Sequence, residues 1–284
     1  MTDKPVVTRF APSPSGYLHL GHAYSALFTT AAAEESGGRY LLRIEDIDQG
    51  RCKPEFEDAI YEDLAWLGLD WERPVRRQSD HFDVYRQVLD RLAEKDLLYP
   101  CFCTRKEIAD EIERAGRAPH EVAGPDGPLY PGTCRHLTED ERDLRLGQGD
   151  SFAMRLNMDK AEALAGQLLW HEHEEGNHVA TPQIFGDVVL ARKDIPTSYH
   201  LSVTVDDHLQ GITLVTRGED LRLATHIHRL LQALLDYDVP NYKFHQILAD
   251  EDGRRYAKRD KSLTLRSLRD DGVTAADIRA RVGL

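Results

Sequence analysis

Apolar and polar positions along the chain follow two periods, and the breaks between them fall at glycine and proline. Val6-Val7-Thr8 is a short apolar run leading into Arg9-Phe10, and it predicts a buried strand. Pro12, Pro14 and Gly16 then forbid regular structure and force a sharp loop. Beyond Gly21, the small side chains from Ala23 to Ala33 predict a helix, closed by Gly37-Gly38. Arg39–Ile44 predicts a second strand. Phe56, Ile60, Leu64 and Leu67 share one face of a helix over 55–67, which Gly68 ends. Ser79 or Asp80 is a candidate cap for the next helix, whose apolar face is Phe82, Val84, Tyr85, Val88, Leu89 and Leu92.

From Tyr99 the pattern changes to a stretch rich in glycine, proline and charge, closing at Tyr130–His136. Residues 135–180 read as polar and helix-prone, and His171, Glu172, His173, Glu174, Glu175 and His178 as a solvated face rather than a metal cluster. Phe185–Arg192 and Gly211–Arg217 predict further strands, His226–Leu235 a helix and Phe244–Leu248 a last strand. Strand, helix and strand at this spacing predict an α/β fold with a parallel sheet and right-handed crossovers. No Gly-x-Gly-x-x-Gly is present, so this is not the dinucleotide-binding version. The expected division is a first half of the α/β domain over 1–100, an insertion over 101–180, a second half over 181–245, and a loop with a helical end over 246–284.

The 284 residues suffice for one large domain with insertions. No apolar run has the length of a membrane span, and Met1-Thr2-Asp3-Lys4-Pro5 lacks a signal core, so a cytoplasmic protein without membrane contact is expected. A net charge of −13 is a poor general footprint for nucleic acid. Arg254, Arg255, Lys258, Arg259 and Lys261 nevertheless form a local basic cluster. Cys52, Cys101, Cys103 and Cys134 are the cysteines, and the Cys-x-Cys spacing suggests metal more than redox chemistry.

Candidate chemistry concentrates in Arg9-Phe10-Ala11-Pro12-Ser13-Pro14-Ser15-Gly16-Tyr17-Leu18-His19-Leu20-Gly21-His22. A helix N-terminus after a strand and loop presents N–H groups and a positive dipole end to phosphate. His19 and His22, three apart, fall on one side of that first turn. Alone, the His-x-Gly-His match also fits a buried turn or a two-histidine metal site. A second motif lies far downstream: Lys258-Arg259-Asp260-Lys261-Ser262. Together the pair resembles the two ATP-binding motifs of class I aminoacyl-tRNA synthetases. Arg9–Pro14 and Leu42-Arg43-Ile44-Glu45-Asp46 resemble the glutamyl branch of that family. Arg259-Asp260 departs from the apolar and serine residues frequent in the second motif.

The resemblance implies a Rossmann-like class I catalytic domain with an inserted zinc-binding, acceptor-type subdomain. It implies ATP bound by His19, Gly21, His22, Lys258, Lys261 and Ser262, with Mg²⁺ on the phosphates. His19, His22 and Lys261 would serve catalysis. Glutamate would be held by Arg9, Ala11, Ser13, Glu45, Tyr199 and Arg217, with Glu45 on the α-amino group. Two arginines and a tyrosine suit two carboxylates; which arginine takes which carboxylate stays open, and Arg217 could instead pair with Glu219 or Asp220. In the glutamyl-Q branch, Cys101, Cys103, Tyr130 and Cys134 would hold one structural zinc. His136 is an alternative fourth ligand, and a metal-free loop is the plain alternative.

Only 22 residues follow Ser262, so no anticodon-binding domain is expected. The resemblance to the glutamyl-Q branch then implies a ligase, expected to be monomeric, that activates L-glutamate with ATP and glutamylates the queuosine base of tRNA(Asp). A truncated synthetase charging a tRNA 3′ end and a non-catalytic RNA-binding paralogue are the rivals.

Overall fold

A computed structural model of the protein describes residues 5–114, 123–248 and 264–284. The first strand, β1 (Val7–Phe10), is buried along its whole length. Helix α1 (Leu20–Glu35) follows, and then β2 (Arg39–Ile44) returns parallel to β1. The tight return depends on Gly38, where a Cβ would stand 2.2 Å from the Val6 carbonyl oxygen. The alanines of α1 let it lie close on the sheet, and the Thr29 hydroxyl reaches Thr216 Oγ1 at 2.7 Å. Helix α2 (Pro54–Trp66) leads to β3 (Arg76–Arg77), the third parallel strand of this group.

Helix α3 (Phe82–Glu94) buries Tyr85, Val88, Leu89 and Leu92 as its pattern predicts. Its start differs from expectation. His81 precedes it without a side-chain cap, because the Ser79 N–H and hydroxyl both donate to Asp46, at 2.8 and 2.6 Å. Next come β4 (Leu98–Cys101), α4 (Arg105–Arg114) and the small hairpin β5 (Ala123–Gly124) and β6 (Gly127–Pro128). Helix α5 (Glu139–Gly147), strand β7 (Ala153–Leu156) and helix α6 (Met158–Ala165) follow.

The stretch read as helix-prone continues as a hairpin, β8 (Leu169–Glu172) and β9 (Gly176–Val179). Glu172 is buried at its turn and accepts the Glu174 and Glu175 N–H groups, so only part of this acidic run is a solvated face. Strand β10 (Val189–Ala191) joins β4 and β7 in an antiparallel sheet. Helix α7 (Tyr199–Leu209), strand β11 (Leu214–Gly218), helix α8 (Ala224–Leu235) and strand β12 (Asn241–His245) build the second parallel group. β8 pairs with β12 in parallel, so this hairpin extends the second group. Helices α9 (Leu265–Asp270) and α10 (Ala275–Val282) pack Leu265, Leu268, Ile278 and Val282 into the core beneath α1 and α2.

The two parallel groups meet between β1 and β11. The Thr213 N–H donates to the Val7 carbonyl at 3.0 Å, and the Val7 N–H to Thr213 Oγ1 at 2.8 Å. Strands from different halves of the chain thus lie side by side here, where α/β sheets place ligands off the strand carboxyl ends.

Candidate active site

A pocket of about 370 Å³ opens at that junction, lined by Arg9, Ala11, Ser13, His19, Gly21, His22, Glu45, Tyr199 and Arg217 among others. Strand ends and helix starts supply them. Arg9 comes from β1 and Arg217 from β11, Glu45 follows β2 directly, and Tyr199 opens α7. A larger groove of about 890 Å³ lies at the opposite ends of the strands, along Val6, Arg39, Thr213 and Asn241, and contains none of the predicted residues.

His19 is the N-cap of α1. Its Nδ1 accepts the Gly21 N–H at 3.1 Å, and His22 Nδ1 accepts the His19 N–H at 3.2 Å. Both imidazoles therefore accept at Nδ1, which in the neutral ring leaves the proton on Nε2. The rings lie 3.8 Å apart over the helix end. A Cβ at Gly21 would stand 3.0 Å from His19 Cε1, a tight contact that would press on the imidazole. The spacing of His-x-Gly-His is thus a reciprocal cap that fixes two tautomers at a phosphate-favouring terminus.

Lys258, Lys261 and Ser262 lie outside the described residues, as do Arg254, Arg255 and Arg259. Both flanks are placed at the pocket. Ile247 and Leu248 line it, and Thr264 forms an antiparallel bridge with His19.

The charged side chains of the pocket fall into two arrangements. Arg9 donates from Nε and Nη2 to the two oxygens of Asp207, at 2.9 and 3.2 Å, and from Nη1 to the Thr216 carbonyl. Arg43, fully buried, donates to Asp207 at 2.8 Å and to Glu45 at 3.1 Å. Burial pushes the Glu45 carboxyl above its usual range, opposed by Arg43 and Arg9. Burial also works against the Asp207 carboxylate, yet Arg9 and Arg43 together hold it below the usual range.

Arg217 is held differently. Its Nη1 donates to His228 Nδ1 at 3.1 Å and its Nη2 to the Thr225 hydroxyl. It also lies over the rings of Tyr242 and Phe244, at 5.4 and 5.7 Å. Among the described residues no carboxylate pairs with it, and its buried Nε has no acceptor. The expected alternative partner Glu219 pairs with Arg222 instead. Burial, then the charge of Arg217, holds His228 well below the ordinary histidine value, so it stays a neutral acceptor. Burial likewise raises the Tyr199 hydroxyl above its usual value. Of the other acids after β2, Asp46 is tied to Ser79 and Asp48 to Arg192, while Glu45 alone lines the pocket.

Asp207, Thr225 and His228 are not marked as site residues by the sequence, and Arg43 enters only as part of the Leu42–Asp46 motif. One signal was available: Asp206-Asp207 interrupts an apolar run, and two acids buried there demand cations. Asp206 takes Arg76, Gln78 and Tyr85, each at 2.8 Å.

Away from the pocket, Cys101, Cys103 and Cys134 bring their sulfurs within 4.8 Å of one another. Cys103 and Cys134 are 3.5 Å apart, and Tyr130 Oη lies 3.6 Å from Cys103 Sγ. Tetrahedral zinc–thiolate bonds imply sulfur–sulfur edges of about 3.8 Å, so this donor set fits such an ion. His136 does not join the group. The hydrogen bond from Cys101, against the opposing effect of burial, draws the Cys134 thiol down to about 6. Donation to Cys134, then burial, pushes Cys101 up to about 12. One thiolate therefore forms readily. The Arg155 guanidinium lies 3.9 Å over the Tyr130 ring, adding positive charge beside the donors.

Residues 5–282 match the family model described as the catalytic domain of class I tRNA synthetases (E and Q). A glutamyl-Q tRNA(Asp) synthetase of Rhodobacter capsulatus is 48% identical over 98% of this chain and 100% of its own length. A glutamate–tRNA ligase of Aquifex aeolicus is 38% identical over 94% of this chain but only 54% of its own length. The crystal structure of a glutamate–tRNA synthetase from Elizabethkingia anophelis superposes with a TM-score of 0.76 at 30% identity, covering 90% of this chain and 53% of that one. The chain thus spans about half the length of these two glutamate–tRNA enzymes. No described helix is long and apolar enough to cross a membrane.

Proposed function

The chain belongs to the class I tRNA synthetase (E and Q) family, a family of ligases, and groups with its glutamyl-Q tRNA(Asp) synthetases; from that membership we propose that it activates L-glutamate with ATP and passes the glutamyl group to the queuosine base of tRNA(Asp). The observation that carries the amino-acid assignment is Arg217. Arg9 and Arg43 bring two positive charges against Asp207 and Glu45, whereas Arg217 has no carboxylate partner among the described residues and so presents its own positive charge. Glutamate, with two carboxylates and one ammonium, carries the matching negative charge, and glutamine does not. Arg217 with Tyr199 and Arg9 faces the carboxylates, Glu45 takes the ammonium, and Ala11 and Ser13 form the wall between them. Residue identity over the whole length of the Rhodobacter relative supports the queuosine acceptor.

Activation requires in-line attack of the glutamate α-carboxylate on the α-phosphorus of ATP. A carboxylate oxygen–phosphorus bond forms, the bond to the bridging oxygen breaks, and pyrophosphate leaves with that electron pair. Positioning and preorganised donors supply most of the rate. His19 and His22 would present Nε2–H groups to the phosphates, beside the α1 terminus and the Gly21 backbone. Lys258, Lys261 and Ser262 would complete the ATP site, and Mg²⁺ would enter with the phosphate oxygens. In the second step an acceptor hydroxyl attacks the activated carbonyl and AMP departs. Cys101, Cys103, Tyr130 and Cys134 would hold one zinc, which supplies structural cross-linking of β4 to the 130–136 turn. The 101–180 insertion and the 254–261 basic cluster would meet the RNA.

The test uses tRNA(Asp) with and without queuosine, and with its 3′-terminal adenosine removed. Labelled glutamate should be incorporated only into the queuosine-bearing RNA and should survive removal of the 3′ adenosine. Charging of tRNA(Glu) at its 3′ end instead would overturn the acceptor assignment. Glutamate, and not glutamine, should support exchange between pyrophosphate and ATP, and Lys261→Ala should slow it about 100-fold. Metal analysis should return about one zinc per chain, retained in His136→Ala and weakened in Tyr130→Phe.

A further inference from the structure

Arg217 does not end at His228. His228 Nε2 lies 3.2 Å from His200 Nδ1, and His200 Nε2 lies 2.9 Å from Asp126 Oδ2. The direction of every hydrogen bond in this chain is determined. A guanidinium only donates, so His228 Nδ1 must accept from Arg217. His228 is neutral, so its proton is on Nε2 and is donated to His200 Nδ1. His200 then carries its own proton on Nε2 and donates it to the Asp126 carboxylate. Both rings are buried, at 8% and 4% exposure, whereas the Asp126 side chain is 62% exposed. The Tyr199 ring centroid stands 5.6 Å from each imidazole, so the same pair also underlies the other carboxylate-facing residue.

Asp126 is not part of the pocket. It occupies the turn of the β5–β6 hairpin, within the inserted segment between β4 and β7. That hairpin is seated closely: a Cβ on Gly124 would stand 2.7 Å from the Ile184 carbonyl oxygen. A residue on the insertion thus holds the far end of a directed chain whose near end is the uncompensated guanidinium of the pocket.

We propose that Asp126, His200 and His228 are positioning residues that aim the Arg217 guanidinium at the glutamate carboxylate, so that seating of the β5–β6 hairpin tunes glutamate affinity. The inference rests on the assignment of Arg217 to glutamate. It assigns the hairpin a part in amino-acid binding in addition to any contact with RNA. Among the described residues, no hydrogen bond joins His19 or His22, the proposed ATP contacts, to Asp126, His200 or His228.

The experiment measures glutamate binding by calorimetry and steady-state pyrophosphate exchange on the full chain. Asp126→Ala should raise the Kd and KM for glutamate about three- to tenfold, the scale of one lost charge-assisted hydrogen bond. The KM for ATP and the melting temperature should stay as in the parent, since Asp126 is exposed. Asp126→Asn, whose amide oxygen still accepts from His200, should recover most of the loss. His228→Asn keeps an acceptor for Arg217 but cuts the link to His200. It should lose about as much as Asp126→Ala, and the double variant should be no worse than either alone, because both cut the same chain. Additive effects, an equal rise in the ATP KM, or an Asp126→Ala protein with parental glutamate affinity would overturn the relay. If Arg217→Gln itself leaves glutamate binding unchanged, the assignment of Arg217 falls and the relay with it. Loss in Arg217→Gln but not in Asp126→Ala overturns the relay alone.

Discussion

The two sides of the pocket solve the burial of a guanidinium in opposite ways. On the β1–β2 side, Arg9 and Arg43 are neutralised within the protein by Asp207 and Glu45. On the β11 side, Arg217 is held by a neutral imidazole, a hydroxyl and two aromatic faces, with no carboxylate among the described residues. A compensated charge serves structure, because its field is spent inside the network. An uncompensated one costs desolvation in the free protein and regains it when an anion arrives. On the proposed reading, Arg217 is the charge that awaits the ligand, while Arg9 and Glu45 meet it from within a network already neutralised.

The largest effect that could break this contrast belongs to Asp207. Asp207→Ala removes the shared partner of two buried arginines and should cost about 3–5 kcal/mol of stability, read by denaturant unfolding. A loss below about 1 kcal/mol would show that the network is not the scaffold described. Arg217→Gln should do the reverse. Its removal strands no carboxylate among the described residues, so stability should change by less than about 1 kcal/mol. The kcat/KM for glutamate should fall about 100-fold, the scale of losing a buried charge partner.

Acid separates the sides further. The folded protein holds His228 well below its ordinary 6.5, and lowers His226 and His245 as well, each chiefly through burial. Above 6.5 these rings are neutral in both folded and unfolded chains and contribute no pH dependence. As pH falls below 6.5 the unfolded chain takes up protons that the folded one refuses. Stability should then drop by up to about 1.4 kcal/mol per pH unit per histidine. Asp207, held below the usual carboxylate range, stays charged over that window, so its pairing with Arg9 and Arg43 persists. Unfolding measured from pH 7.5 to 5.5 should show the drop, and His228→Asn should lessen it. The smallest effect is Thr225→Val. It removes one neutral acceptor from Arg217 and should raise the KM for glutamate about fivefold, with the KM for ATP unchanged.

Much of this molecule was legible in one dimension because its information is local. Period and glycine placement marked β1, α1, β2 and α2, and the reciprocal His19–His22 cap needs only three residues of spacing. Val203-Thr204-Val205, by contrast, has the composition of a strand yet lies in α7, where Ser198 caps the start and the buried acids Asp206 and Asp207 anchor the turn to distant arginines. The helix-prone stretch before it holds the helices α5 and α6 as expected, but also β7, which pairs with β4 and β10, and the β8–β9 hairpin, of which β8 pairs with β12.

The resemblance to the glutamyl branch placed Arg9, Glu45, Tyr199 and Arg217 among the candidates, and the Cys-x-Cys spacing with a distant third cysteine placed Cys101, Cys103 and Cys134 there. The sequence could not say which arginine is neutralised, since Arg9 meets Asp207 across 198 positions of sequence. Nor could it join Asp126 to His200 and His200 to His228, or bring Tyr130 rather than His136 to the sulfurs. Helix and strand periods are set by backbone geometry and survive in the sequence. Compensation of buried charge depends on which side chains share a low-dielectric space, and that is decided only when the two halves of the sheet close on each other.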